Sequence, residues 1–422
     1  MICKNGFEQG AFGKVQDEVL MVMLSGHSYL YRMFIKNLSL VGLECEEKSD
    51  DHFFVSTGEG QKEHQDVELR ETLSKEEIKR IQEEKLLRLI EFNITNTCQL
   101  RCPGCYKMDD TGKQHEQRLP FERYQKYIEM GMRRGLRSIW LLGGEPTMHP
   151  QWKDFLCHAK DQGIDDLMLF SNMLNLQPAD IQFFIRNKVK VVGKLNIGTI
   201  HAPSEDELCM QAAMIGRTES VAQTMLQKIK MILDEGLQDH NLFALENLLR
   251  GENIEYAIGF WQFCRDNHIT PNLEMFCDFS GQESSKRNLP SDTELKSLVQ
   301  AIQAIDKNMG FPEWEPMVPH ISHGCSLNYT AIGVDPNEDI LPCAASNIVI
   351  TNTAGDEEID YEKILCNPVI QARRNLSKDT VKGVCNGCDK FDRGCSGGCR
   401  NAVEAGRRDP YEGYPDCIIK NL

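Results

Sequence analysis

Cysteine spacing constrains this chain more than any other feature. Ten of its seventeen cysteines fall into two spaced sets that an ordinary apolar core does not require. The first is a triplet in "NTCQLRCPGCY", with thiols at Cys98, Cys102 and Cys105. Three thiols cannot complete a structural zinc site, which takes four protein ligands. They can occupy three corners of a [4Fe–4S] cube and leave one iron open to an outside ligand. The second set is Cys325, Cys343, Cys385, Cys388, Cys395, Cys399 and Cys417. Its stretch "CNGCDKFDRGCSGGC" is too polar and glycine-rich to bury enough apolar area, so an inorganic core is expected to organise it. Two four-cysteine zinc sites would need an eighth thiol.

Composition narrows the setting. A chain of 422 residues suggests two or three domains. It is too long to need a disulfide scaffold, so metal–sulfur ligation in a reducing cytoplasm is the expected use of the cysteines. Cys3, Cys45, Cys157, Cys209, Cys264, Cys277 and Cys366 read as free thiols acting as small hydrophobes. The opening "MICKNGFEQG" has no basic segment ahead of an apolar one, which argues against secretion. No apolar run is long enough for a membrane span. Acidic residues outnumber basic ones by 63 to 47, which disfavours a nucleic-acid footprint.

From residue 87 the pattern alternates short apolar runs with longer amphipathic ones. Strands are expected at 87–95, 138–142, 166–170, 188–195, 241–245 and 272–276. Helices are expected at 121–134, 152–160, 178–186, 219–235, 253–267 and 293–308. Such alternation implies a parallel sheet, and in parallel barrels chemistry sits beyond the carboxyl ends of the strands. The cysteine triplet follows the first expected strand and "GGEPT" (143–147) the second. "SNM" (171–173) follows the third, and "KLN" (194–196) ends the fourth. Glu246 and Asn247 near the fifth, and Glu274 and Asp278 at the sixth, are candidates for facing substrate, with solvent-side acids the favoured reading.

The triplet together with Gly143–Gly144–Glu145–Pro146 resembles the radical S-adenosylmethionine superfamily. That resemblance implies an α/β fold, a partial (β/α)6 barrel. It also implies S-adenosylmethionine held by the open iron of a [4Fe–4S] cluster on Cys98, Cys102 and Cys105. Glu145 would accept a hydrogen bond from the methionine ammonium, with Gly143 and Gly144 letting the backbone approach and Pro146 stiffening the turn. The residue before the third cysteine is commonly aromatic and near the adenine. Here it is Gly104, and Tyr106 could supply the ring or pack under the loop. Lys194 and Asn196 are expected to reach the cofactor's carboxylate or ribose, or to brace the barrel rim.

The seven later cysteines resemble the SPASM domain, a cysteine-rich α+β extension with two auxiliary clusters. The resemblance implies an outer [4Fe–4S] cluster on Cys385, Cys388, Cys395 and Cys417. It implies an inner one on Cys325, Cys343 and Cys399, its fourth ligand open among His320, His323, Cys277, Cys366, water or substrate. Three [4Fe–4S] clusters are thus expected. Two departures stand out: Glu338 occupies a position the family gives to glycine, and six residues rather than five separate Cys388 from Cys395. Sulfatase maturases of this class carry a base aspartate after the second auxiliary cysteine; here that residue is Ala344, which argues against formylglycine formation.

The expected domains are residues 1–80, 86–310 and 317–422. In the first, "EVLMVMLSG" and "SYLYRMFIKNLSLVGLE" read as short helices and "HFFVST" as a strand, a small winged-helix-like unit that binds a leader peptide, caps the fold or forms a dimerisation surface. Ser74 with Glu77 is a capping box opening a further helix. The expected function is hydrogen abstraction from a ribosomally made peptide or protein, leading to a cross-link, thioether, epimerisation or oxidation. Electrons would come from a flavodoxin or ferredoxin. The alternatives are a dehydrogenase or mutase of a small metabolite, and a non-catalytic iron–sulfur electron carrier.

Overall fold

The computed structural model describes residues 19–23, 44–49, 52–56, 65–69, 73–107, 116–277, 289–391, 393–405, 409–415 and 417. The chain divides into two compact units, residues 1–65 and 66–422. In the first, β1 (Val19–Met23), β2 (Glu44–Ser49) and β3 (His52–Ser56) form an antiparallel sheet in the order β1-β3-β2. The run "VLMVM" is therefore a strand and not the expected helix. Five apolar residues in a row satisfy either periodicity, and here pairing with β3 decides. The second expected helix, apart from Glu44 at the start of β2, lies outside the described residues.

The larger unit is built on six parallel strands. They are β4 (Leu89–Thr95), β5 (Ser138–Gly143), β6 (Asp166–Phe170), β7 (Val189–Lys194), β8 (Phe243–Leu249) and β9 (Thr270–Met275). They pair in sequence order, each with the next. Between them run helices Phe121–Met132, Trp152–Asp161, Pro178–Asn187, Glu219–Asp234 and Ile254–Asp266, near their expected bounds. Helix Asp292–Met309 follows β9. Their apolar stripes share one core with the outward residues of the strands. Helix Glu205–Ile215 is additional to those expected, although its Ser204–Glu207 capping box is written in the sequence.

Period-two alternation along the strands builds the barrel interior in layers. Leu89, Trp140, Met168, Val192 and Ala244 form one buried apolar layer together with Ala331. Val67 and Leu69 close that layer from below, and the Val67 amide donates to Thr270 Oγ1 at 2.7 Å. Two residues further along the same strands stand Glu91, Leu142, Phe170, Lys194 and Glu246, and all five line a cavity above it.

The cysteine-rich segment enters the same sheet. Strands β10 (Ala331–Val334), β11 (Asp339–Leu341) and β12 (Thr351–Asn352) extend it to the order β12-β11-β10-β4-β5-β6-β7-β8-β9. β10 runs parallel to β4, with Ala331 opposite Leu89 and Val334 opposite Phe92. Glu338 opens the β11 side of this hairpin with φ at 65°, a backbone conformation that favours glycine. Its side chain gives what a glycine could not: an ion pair with Arg123 in which both partners are nearly buried. Glu338→Gly would relieve backbone strain of about 1 kcal/mol. It would also leave Arg123 without its carboxylate, at a cost of about 3 kcal/mol. Net destabilisation of about 2 kcal/mol is expected, read as a lower thermal midpoint; an unchanged or higher midpoint would show that strain dominates.

Candidate active site

The loop after β4 carries Cys98, Cys102 and Cys105 to the mouth of the barrel, where all three line a cavity of about 340 Å³. Helix Glu205–Ile215 holds that loop. Leu100 packs against Ala212 and Ile215, and the Arg101 amide donates to the Ile215 carbonyl at 3.1 Å. Gly216 ends the helix with φ at 60°, and a Cβ there would lie 1.9 Å from the Arg101 carbonyl oxygen. Arg217 Nε donates to the Gln99 carbonyl at 2.6 Å and Arg250 Nη2 to the Pro103 carbonyl at 2.7 Å. Burial pushes the Cys98 thiol up to about 11 and that of Cys102 up to about 12, so both keep their protons until a metal displaces them.

Glu145 is the best-anchored acid in the site. It is 1% exposed, and its carboxylate accepts from Thr147 Oγ1 at 2.6 Å, Ser171 Oγ at 2.8 Å and the Asn172 amide at 2.7 Å. Burial outweighs these bonds and raises its proton affinity. Pro146 starts the short 3-10 turn Pro146–Met148 behind it. Gly143 and Gly144 line the cavity, but their close approach is to protein. A Cβ on Gly143 would stand 2.3 Å from the Thr95 carbonyl oxygen, and one on Gly144 2.3 Å from that of Thr97. These glycines therefore let the turn lie against the cysteine loop, a more specific reason than room for a ligand.

Lys194 and Asn196 also line the cavity. Lys194 forms an ion pair with Glu246 of β8; burial alone would lower its proton affinity, but Glu246 holds it above the usual lysine range. Asn196 is a strut between strand ends: its amide donates to Gln211 Oε1 at 2.8 Å and its Oδ1 accepts from the Leu248 amide at 3.1 Å. Glu246 and Glu274 line the cavity rather than facing solvent: Glu246 stands within β8, which runs to Leu249 and not to Leu245, and Glu274 within β9. Asn247 is buried, its Oδ1 accepting from Asn253 at 3.1 Å, and does not line the cavity. Asp278 lies outside the described residues.

Tyr106 lines the cavity, and burial pushes its hydroxyl well above the usual phenol range. The ring beside Gly104 is instead Phe276: a Cβ on Gly104 would meet it at 3.0 Å, and the Arg250 guanidinium stacks on it at 3.9 Å. Sequence reading missed Phe276 and Arg250 because the partner of Gly104 comes from the end of β9, far along the chain. It also missed Glu91, which counting by two from Leu89 would have found.

Cys325, Cys343 and Cys399 line this same cavity. Asn401 Nδ2 donates to Cys343 Sγ at 2.9 Å, and Arg373 braces Asn401 at 2.7 Å while chelating Glu404 at 2.9 and 2.7 Å. Burial pushes Cys343 up to about 12. A second cavity, about 120 Å³, is lined by Cys385, Cys388, Cys395 and Cys417 with Val318, Phe391 and Tyr414. Among the described residues no three His, Cys, Asp or Glu side chains are grouped to grip one metal ion; the thiols ring cavities. Thiols around a cavity, beside a buried carboxylate held by Ser171 and Asn172, are a donor set that fits an iron–sulfur cluster with an amino-acid ligand.

Residues 92–264 match the model of the Radical SAM superfamily. Two solved structures share the fold. Streptococcus suis SuiB bound to S-adenosylmethionine is 14% identical, with a TM-score of 0.55, covering 93% of this chain and 87% of that one. Native anSMEcpe with bound AdoMet is 13% identical, with a TM-score of 0.59, covering 79% and 94%. The curated relatives include the GTP 3',8-cyclase of Thermodesulfovibrio yellowstonii, 24% identical over 65% of this chain and 84% of the relative. Two probable GTP 3',8-cyclases of Methanococcus maripaludis are 26% and 23% identical, and the chain spans only 30% and 46% of their lengths. The family model covers the chain from β4 to helix Ile254–Asp266, and the two solved structures share the fold. Among the described residues no helix is long and apolar enough to cross a membrane.

Proposed function

We propose that this chain is a cytoplasmic radical S-adenosylmethionine enzyme that abstracts hydrogen from a peptide or protein and so modifies it. The observation that carries the reading is a single cavity lined by the cysteine triplet, the turn that holds Glu145 and three thiols of the carboxy-terminal set. Bound there, S-adenosylmethionine and its cluster supply a 5'-deoxyadenosyl radical. Cys98, Cys102 and Cys105 would hold that cluster, and Glu145, fixed by Thr147, Ser171 and Asn172, would orient the methionine ammonium. Lys194 offers a cation at the rim for the carboxylate. Leu142 and Phe170 give the chamber floor an apolar face between Glu91 and Lys194.

The SPASM reading belongs to this proposal. The second cavity supports an outer cluster on Cys385, Cys388, Cys395 and Cys417, and the shared cavity supports an inner one that includes Cys325, Cys343 and Cys399. A flavodoxin or ferredoxin would deliver the reducing electron.

Charge favours a peptide over a nucleotide triphosphate. Glu91, Glu246 and Glu274 face the cavity; of its cations, Lys194 is matched by Glu246 and Arg373 by Glu404, while Arg400 donates to the carbonyls of Gly397, Pro410 and Glu412. A polyphosphate would meet carboxylates where it needs cations. A neutral or cationic side chain meets no such penalty. Incubating the reduced enzyme with a candidate precursor in deuterated solvent tests this by mass spectrometry. One retained deuterium marks epimerisation, and a loss of two hydrogens marks a cross-link or oxidation. Substrate-dependent 5'-deoxyadenosine with a metabolite and with no peptide would shift the substrate to a small molecule.

Glu145→Gln turns an acceptor into a donor facing the Asn172 amide, as well as removing the charge. S-adenosylmethionine affinity should fall by about 2 kcal/mol, roughly thirtyfold, in calorimetry on reconstituted protein. Unchanged affinity with the cluster intact would remove Glu145 from the site.

If the amino-terminal unit binds a leader, its removal should raise KM for the full precursor and spare uncoupled cofactor cleavage, since remote binding is lost and chemistry is not. The deletion must stop before Asp66: Val67 and Leu69 seal the barrel floor and Asp66 pairs with Arg265. Equal KM with and without residues 1–64 would leave that unit a structural cap.

A further inference from the structure

We propose that Cys277 is the fourth thiol of the inner set, completing with Cys325, Cys343 and Cys399 a four-sulfur site for a [4Fe–4S] cluster. The inference rests on the reading of the shared cavity as a cluster site.

Cys277 lies just beyond β9, and the chain there is pinned from both sides. The Met275 amide donates to the Pro319 carbonyl at 2.8 Å, and the Phe276 amide to the Leu249 carbonyl at 3.1 Å. Its side chain is buried, lines the cavity with the other three thiols and is hydrogen-bonded to Cys399. Tyr414 Oη stands 3.2 Å from its sulfur. Besides the amino-terminal triplet, which belongs to its own loop, the other thiols described in the larger unit lie away from the cavity. Cys157, Cys209 and Cys366 are exposed and line neither cavity, and Cys264 is buried within helix Ile254–Asp266. Each imidazole competitor gives one ring nitrogen to a side-chain amide and could offer iron only the other, so His320→Ala belongs in the test. His320 Nδ1 and His323 Nε2 approach the same Asn272 Oδ1, at 3.2 and 3.1 Å, with their rings stacked at 4.6 Å. Of the two only His320 lines the cavity. A thiolate is also the softer ligand for iron–sulfur cores.

On ligation the Cys277 thiol loses its proton and forms one iron–sulfur bond. All four irons then carry protein sulfur, so no iron is left to bind substrate. The inner cluster becomes an electron conduit and not a Lewis acid, and the β9 strand that carries Glu274 is stapled to it.

The test uses the full chain carrying Cys98→Ala, Cys102→Ala and Cys105→Ala, which leaves only the carboxy-terminal clusters. After anaerobic reconstitution this parent should hold about eight irons with matching sulfide, and brief ferricyanide oxidation should give no [3Fe–4S] resonance. Adding Cys277→Ala should produce that resonance at up to about one spin per chain, or lose about four irons outright. Cys277→Ser, whose oxygen can still ligate, should retain the irons with a shifted midpoint potential. His320→Ala should behave as the parent does. A Cys277→Ala chain that keeps about eight irons and stays silent, or a resonance that appears with His320→Ala instead, overturns the assignment. A parent without labile sulfide rejects the cluster reading itself, before any change at Cys277.

Discussion

Changing Cys98, Cys102 and Cys105 together to Ala should lower the iron of anaerobically reconstituted protein from about twelve to about eight per chain and abolish cleavage of S-adenosylmethionine. The expectation follows from where the thiols sit. The triplet belongs to one loop beyond β4, whereas Cys385, Cys388, Cys395 and Cys417 surround a cavity of their own. The absorption and EPR features of the carboxy-terminal clusters should therefore persist in the variant. Stoichiometric zinc without labile sulfide in the unaltered chain would sink the assignment, and so would residual cofactor cleavage by the triple variant.

The second large effect is expected from a residue that lines no cavity. Gly216→Ala should reduce S-adenosylmethionine cleavage at least about a hundredfold. Its Cβ would sit 1.9 Å from the Arg101 carbonyl oxygen and 2.5 Å from the carbonyl carbon, so the loop between Cys98 and Cys102 must move. Displacements of about 1 Å at a reacting centre cost about a hundredfold. Gly163→Ala is the control. Gly163 also has positive φ, 86°, but a Cβ there meets nothing within 4 Å. That change should cost about 1 kcal/mol of stability and leave cleavage intact. Equal activities for the two variants would show that helix Glu205–Ile215 does not position the cysteine loop.

Much of the barrel is legible in the sequence because its signals are local. Short apolar runs, helices with caps and the spacing of Cys98, Cys102 and Cys105 need only their neighbours in the chain. Even there the expected bounds of β8 fall too early. "NLFALENLL" puts two polar residues inside an apolar run, and Glu246 and Asn247 are tolerated because one faces the cavity and the other is bonded to Asn253. What escapes is non-local. Phe276 beside Gly104 comes from the end of β9, and the thiol bonded to Cys399 is Cys277, which sequence spacing could not rank above Cys366 or the two histidines. "VLMVM" escapes for another reason, since a short apolar run carries no period of its own.

The pairing of β10 with β4 has a consequence for how the molecule is made. Synthesis releases β4 early, yet one of its edges has no partner until Ala331–Val334 leave the ribosome. The peptide groups along that edge of Leu89–Phe92 must wait for a strand far along the chain, and contacts of such long separation form late. Closure of that edge is therefore a late event, set by the order in which the polypeptide appears.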